Sequence, residues 1–352
     1  MVDGLQSSSL VPSADELVGP GHSGSDHAQS RPDGRPDPKE GAMTSSAGGC
    51  PKLGCRLVIP AFNEVARIER CLNAALASPL PTGCSWTEWV VLDGGSDDGT
   101  AAAAEAWSAA GSRPPLRVRV SPTRQGKAGD LGAWHDEAVA AAHLEDVAVI
   151  VDADTAVERG SFAALLSPFT TDPELAVVWG ADRPDDTTFG RWASSFQIEA
   201  SAALARRRGL RATRAYGRFF AYRVGALTSF SWKPDVTDDI QLANFVHNRR
   251  LTARSKWDAT VLVTPAGNYR DFYLQTYRGY QAEADQATIV SNRSDGMNSA
   301  ERVSVFASQA ARRPLWAVAY AGARVVASAR HRMGGERFTA LWTPPASTKS
   351  AS

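Results

Sequence analysis

The chain has 352 residues, enough for one large domain or two moderate ones. Hydrophobic residues make up 43% and charged residues 22%, a globular composition that excludes a fibrous or wholly disordered protein. Lys plus Arg number 38 and so do Asp plus Glu, so no net charge draws the molecule to nucleic acid, and any anionic ligand must be held by a local site.

Residues 1–50 are rich in Ser, Gly, Pro and Asp with almost no aromatics, which predicts a disordered tail. The start has no basic stretch followed by an apolar run, so no secretory leader is expected. The four cysteines, Cys50, Cys55, Cys71 and Cys84, lack zinc-site spacing, and the reading is idle or buried thiols in a reducing cytoplasm. The longest late apolar stretch, 314–323, is short of the roughly 20 residues a membrane span needs.

Order begins at 56–60, a short β-branched run stopped by Pro60 and predicted as a buried strand. Residues 64–77 carry Val65, Ile68, Cys71, Leu72 and Ala75 at helical spacing. A strand is expected at 89–92, an Ala-rich helix at 100–110, an alternating strand at 116–120, a helix at 131–144 and a strand at 147–151. Strands alternating with helices imply an α/β fold, a mainly parallel sheet covered on both faces, with ligands at the carboxyl ends of the strands. Beyond 180 the pattern loosens. Strands are expected at 179–180, 219–222 and 261–263, and helices at 239–248, 272–287 and 304–330. The domain reading is a tail (1–50), an α/β domain (55–290, with halves 55–155 and 156–290) and a C-terminal helix and tail (300–352).

Three segments lie just past predicted strands. Asp93-Gly94-Gly95-Ser96-Asp97-Asp98-Gly99-Thr100 combines glycines, which let backbone approach a ligand, with a carboxylate that can accept from a base or ribose. It also reads as a plain turn capping the next helix. Asp152-Ala153-Asp154 places two carboxylates two residues apart, on one side of an extended chain. Two hard oxygen donors suit Mg2+ or Mn2+ bridging to phosphate oxygens. A solvated acidic turn is the other reading. Arg124-Gln125-Gly126-Lys127-Ala128-Gly129-Asp130 puts cations and glycines at a strand-to-helix junction, where free N–H groups favour anions; a surface loop would look the same.

Taken in order, these segments resemble glycosyltransferase family 2, inverting enzymes of the GT-A fold. The matching text is Val58-Ile59-Pro60-Ala61-Phe62-Asn63-Glu64, the Asp93 to Thr100 segment, Gly126-Lys127-Ala128-Gly129-Asp130-Leu131, Asp152-Ala153-Asp154, and Thr237-Asp238-Asp239-Ile240-Gln241-Leu242, similar to the family's Thr-Glu-Asp-x-x-Leu. The resemblance spans about 55–280. It implies that Pro60, Ala61, Asn63, Glu64, Asp93 and Gly95 cradle the nucleoside and that Lys127 lies near base or phosphates. It implies that Asp152 contacts ribose or sugar, that Asp154 with Asp152 holds the metal, and that Asp239 is the general base toward an acceptor hydroxyl. A helix beginning at Asp239 would favour its ionised form.

The implied reaction transfers sugar from a nucleotide-diphosphate sugar to a small-molecule or lipid-linked acceptor. Gln275-Thr276-Tyr277-Arg278-Gly279 departs from the Gln-x-x-Arg-Trp of processive members, which argues against polymer synthesis. Arg278 remains a candidate for the diphosphate or acceptor. Thr264-Pro265-Ala266-Gly267 offers no His as a further metal ligand. Arg206, Arg207, Arg208, Arg211, Arg214 and Arg218 read either as an anionic-acceptor site or as a solvated helix face. The segment 312–330, with Trp316, Tyr320 and arginines, reads either as a helix on the core or as one resting on a membrane surface. Nucleotidyl transfer is a rival reading, but 60–64 lacks the Gly- and Arg-rich text it needs. A non-catalytic nucleotide-sugar sensor is the other.

Overall fold

The computed structural model describes residues 52–110, 114–208, 217–234, 237–277 and 299–333. The tail 1–50 and Arg278 lie outside the described residues.

One eight-stranded sheet runs through the described chain in the order β3-β2-β1-β4-β7-β6-β8-β5. Its strands are β1 (Leu53–Ala61), β2 (Cys84–Asp93), β3 (Leu116–Val120), β4 (Val147–Val151), β5 (Thr155–Val157), β6 (Leu175–Pro184), β7 (Phe219–Arg223) and β8 (Thr252–Val263). The pairs β3·β2, β2·β1, β1·β4 and β6·β8 are parallel. β7 runs antiparallel to both neighbours and β5 antiparallel to β8. β7 therefore meets the carboxyl end of β4 with its own start: Val151 pairs with Phe219, and Asp152 N donates to Arg218 O at 3.0 Å.

Period-2 alternation explains the two cores. Leu57 and Ile59 face one cluster, Val58 the other, and all three are fully buried. Helices α1 (Ile68–Ala77), α2 (Thr100–Ala109) and α4 (Ser161–Thr171) cover the first face through Cys71, Leu72, Trp107, Phe162 and Leu165. Helices α3 (Gly126–Ala140) and α6 (Asp238–Asn248) cover the second through Leu131, Trp134, Leu242 and Val246. A third layer packs α5 (Trp192–Arg208) against α7 (Ser299–Arg312) and α8 (Pro314–Arg332) around Phe196, Ala200 and Trp316. Cys55, Cys71 and Cys84 are buried and unpaired.

Several boundaries differ from expectation. The helix expected at 131–144 starts at Gly126 and ends at Ala140. Its glycines read as loop, yet they allow close packing. A Cβ on Gly132 would stand 2.9 Å from Trp232 Cβ, and one on Gly129 3.5 Å from Pro234 Cγ. Tertiary packing thus overrides low helix propensity there. The helix expected from 64 begins at Ile68, after a turn closed by Ile68 N to Glu64 O at 2.8 Å. The expected helix 304–330 is two, broken at Arg313 (φ −137°, ψ 64°), because Pro314 forces its predecessor out of helical geometry. Residues 269–277 are helical, and the rest of that expected helix lies outside the described residues. The strand expected at 179–180 is the middle of β6, and the one expected at 261–263 is the end of β8. α4, α5 and β5 were not anticipated.

Candidate active site

The carboxyl ends of β1, β2 and β4, the start of β7 and the N-termini of α3 and α6 border one candidate site. At its first wall the 60–64 segment and the loop after β2 are stitched together. Gly94 N donates to Ala61 O (2.9 Å), Asn63 N to Ser96 Oγ (2.9 Å), Asp97 N to Asn63 Oδ1 (3.0 Å) and Glu64 N to Thr100 Oγ1 (2.8 Å). Asn63 adopts φ 54°, which its short amide side chain tolerates, and Gly95 adopts φ 83°, which needs no Cβ. Asp98 takes the role of local tie, accepting from Val65 N and from Thr100 N.

Asp93 is fully buried at the end of β2. Its Oδ1 accepts from Gly95 N (2.9 Å) and Ser96 N (2.6 Å), while Oδ2 is buried and accepts no hydrogen bond from the described residues. Since a buried polar atom without a partner is costly, Oδ2 is a ready acceptor for a donor group on a ligand. Asp130, at 6% exposure, closes the same wall. Ser121 Oγ donates to it, and burial holds its carboxyl above the usual carboxylate range.

Past β4 the chain turns. Thr155 N and Oγ1 both donate to Asp152 O, at 3.0 and 2.8 Å. Ala153 points into the core at 2% exposure, while Asp152 and Asp154 stay half-buried. Alternation through this turn, rather than an extended strand, keeps the two carboxylates out of the core. Asp154 Oδ1 is buried and accepts no hydrogen bond from the described residues. Among the described residues no group of three or more His, Cys, Asp or Glu side chains could hold a metal. A divalent ion here would have Asp154 and Asp152 as its protein ligands, and the bare Asp154 oxygen fits that donor set.

Lys127 sits in the first turn of α3, and all three directions of its ammonium are occupied. Nζ lies 2.6 Å from Asp152 Oδ1 and 2.7 Å from Asp238 Oδ2, and it donates to Gly217 O. Lys127 was expected near base or phosphates; among the described residues it bridges the carboxylates of Asp152 and Asp238. Burial works against its charge, but Asp152 and Asp238 outweigh that and raise its pKa. Asp152 is itself pushed up to about 7, chiefly by burial, with Asp154 and Asp238 adding to it and Lys127 opposing.

α6 begins after Thr237, so Asp238 and Asp239 occupy its first turn, and Ile240 N donates to Asp239 Oδ1 at 2.8 Å. The helix terminus was expected to favour ionised Asp239. The Ile240 N–H does so, yet the pKa is raised to about 6, because burial and the neighbouring Asp238 outweigh Lys127, that N–H and Arg218. Sequence reasoning missed Gly217 and Asp182, and it read Arg218 only as one of a basic cluster. A Cβ on Gly217 would stand 3.1 Å from Asp239 Cβ, so this glycine admits the acidic turn. Arg218 Nη1 pairs with Asp182 Oδ2 at 2.6 Å and faces Asp154 and Asp152 electrostatically. The available signal was a Gly-Arg pair entering a strand. Of the rest of the basic cluster, Arg206 is exposed, while Arg211 and Arg214 lie outside the described residues, as do the side chains of Arg207 and Arg208.

A sheet ordered this way, with acidic turns after β4 and before α6, defines the GT-A class of nucleotide-sugar transferase folds. Residues 57–230 match the model of glycosyl transferase family 2 and form a domain of that family. A mannosyltransferase of Pyrobaculum calidifontis, solved with GDP-Man and Mn2+, superposes with a TM-score of 0.52 at 20% identity, over 80% of this chain and 79% of that one. Glucosyl-3-phosphoglycerate synthase of Mycobacterium tuberculosis, solved with Mn2+, UDP and glucosyl-3-phosphoglycerate, gives 0.45 at 22% identity, over 67% and 79%. No curated protein matches the sequence.

Proposed function

We propose that the protein is a non-processive, inverting glycosyltransferase. It moves a sugar from a nucleoside-diphosphate donor, bound with Mg2+ or Mn2+, to a hydroxyl of a small-molecule or lipid-linked acceptor. The observation that carries this reading is the Lys127 bridge. It ties the acidic turn after β4 to the acidic start of α6, so one site holds two candidate metal carboxylates and a separate candidate base. The family match favours this chemistry over nucleotidyl transfer.

In this reading Pro60, Ala61, Asn63, Glu64 and Gly95 shape the nucleoside wall, and Asp93 Oδ2 accepts from base or ribose. Asp152 and Asp154 would hold the cation, with Asp152 also reaching ribose or sugar. When bound, the cation neutralises charge developing on the departing diphosphate. Lys127 fixes Asp152 and Asp238. Asp239 accepts the acceptor's proton, and attack from the face opposite the diphosphate inverts the anomeric centre. A base with a pKa near 6 is ionised at neutral pH yet more basic than an ordinary aspartate, which suits proton transfer near working pH. Arg278 is assigned to the diphosphate or acceptor. We place the enzyme in the cytoplasm, in peripheral contact with the inner face of the membrane.

The test is a thermal-shift screen of UDP-, GDP-, TDP- and CMP-sugars with and without Mn2+, followed by product analysis with the donor that binds. A metal-dependent shift and an inverted product are expected. Retention of anomeric configuration, or no shift with any donor, would sink the reading.

A further inference from the structure

Helix α8 presents an apolar face to solvent. On one side Trp316, Ala323 and Ala327 are buried, and the Tyr320 ring lies 5.2 Å from Phe196 and 5.9 Å from Phe306. At 3.6 residues per turn the opposite side carries Leu315, Val318, Gly322, Val325, Val326 and Met333. Leu315 is 63% exposed, Val318 71%, Val325 68% and Met333 78%. A surface helix ordinarily turns charged and polar residues outward. This one is apolar on both sides from Leu315 to Val326, before a basic last turn of Arg330, His331 and Arg332. No described helix is long and apolar enough to cross a membrane, so a span does not explain it.

The charges around the stripe have one sign. Between Arg312 and Met333 there is no Asp or Glu, while Arg312, Arg313, Arg324, Arg330 and Arg332 are all basic. Two arginines stand at each end of α8, and Arg324 lies over the Tyr320 ring, 5.9 Å from its centroid. A second copy of the chain is a poor occupant. Paired antiparallel, α8 would set Arg330 and Arg332 against the other copy's Arg312 and Arg313; paired parallel, it would set each arginine beside itself. Anionic phosphodiesters answer all of these charges, and the headgroup–acyl boundary accepts an apolar stripe lying in its plane.

We propose that the outward face of α8 docks the protein on an anionic phospholipid surface. The valine and leucine stripe enters the boundary and the terminal arginines meet lipid phosphates. This rests on the peripheral association proposed above, not on the sugar-transfer chemistry.

The experiment is co-sedimentation of the full chain with vesicles of phosphatidylcholine alone and of phosphatidylcholine mixed with phosphatidylglycerol. Partition into the anionic vesicles should exceed that into neutral ones by roughly tenfold or more and should weaken as salt rises. Val318→Glu combined with Val325→Glu should remove binding at least tenfold without changing the melting midpoint, since both positions are exposed. Arg330→Glu combined with Arg332→Glu, which leaves the stripe intact, should weaken binding by more than roughly tenfold, at about fivefold per arginine. The donor-induced thermal shift should be the same in every variant, which separates this result from the transferase reading. Absence of binding to anionic vesicles, or equal binding by wild type and the valine variant, overturns the proposal. So does a lipid-free dimer that the valine variant converts to monomer, because the face would then join two copies.

Discussion

Lys127 Nζ lies 2.7 Å from Asp238 Oδ2, and this ion pair links the first turn of α3 to the first turn of α6. The same ammonium reaches Asp152 at 2.6 Å, so one cation stands among carboxylates from the β4 turn and from the α6 terminus. The position of Asp239 relative to Asp152 and Asp154 depends on it.

Removing that cation is therefore expected to do more than remove a ligand contact. Lys127→Met leaves the carboxylates of the site without their shared partner. A loss of roughly 3 kcal/mol in unfolding free energy at neutral pH is expected, measured by denaturant titration. Lys127 also holds the Asp239 pKa down, so the acid limb of the pH–rate profile should move to higher pH.

Asp239→Asn separates chemistry from folding. Transfer should fall by roughly 10²–10⁴-fold while the donor-induced thermal shift persists. The Asp239 pKa is raised in the folded state, so its contribution to stability is full below the ordinary aspartate pKa and is lost as pH rises through about 6. Above that pH the asparagine variant should melt no lower than wild type, and its advantage should vanish in acid. A lower midpoint at pH 8 would contradict the burial account.

The proposed role of Asp239 as the base sets an expected pH dependence for the wild-type enzyme. The rate at saturating substrate should decline as pH falls through about 6, and Asp239→Asn should lack that limb. A profile flat down to pH 4.5 would remove Asp239 from the role.

Asp154→Ala tests the metal independently of turnover. The Mn2+-dependent part of the thermal shift with nucleoside diphosphate should be lost. A variant that still shows it would assign the cation elsewhere.

Gly217→Ala probes how closely β7's approach fits the acidic turn. A Cβ there would meet Asp239 Cβ at 3.1 Å, Asp238 Oδ2 at 3.3 Å and Asp239 Cγ at 3.4 Å, so the turn must yield by a few tenths of an ångström. The rate should drop roughly tenfold with a stability change within about 1–3 kcal/mol. Unchanged kcat would mean the turn relaxes freely.

Local text was enough for the first half of the sheet. The run at 56–60 and the run at 147–151 are β-branched and end at turns that carry candidate site residues, and β1 and β4 stand there side by side. The acidic turns could be found because each follows or precedes an element whose periodicity is visible. α5 escaped notice because Ser194 and Ser195 are buried beside Ala193 and Phe196, which blurs the helical period, and β5 because three residues carry no pattern. The start of α3 was misread because its glycines have low helix propensity, and only packing against Trp232 shows why they are there.

The sequence by itself determined the alternating α/β order, the family resemblance and which acidic residues are candidates for the site, because strand period, helix period and motif spacing are properties of neighbours along the chain. Tertiary structure alone decided that Lys127 bridges Asp152 and Asp238 rather than facing open solvent, that Asp239 is held at a raised pKa, and that α8 keeps a bare apolar side. Each of these depends on which distant segments share a few ångströms. Burial and Coulomb interactions act through that distance, not through position in the chain.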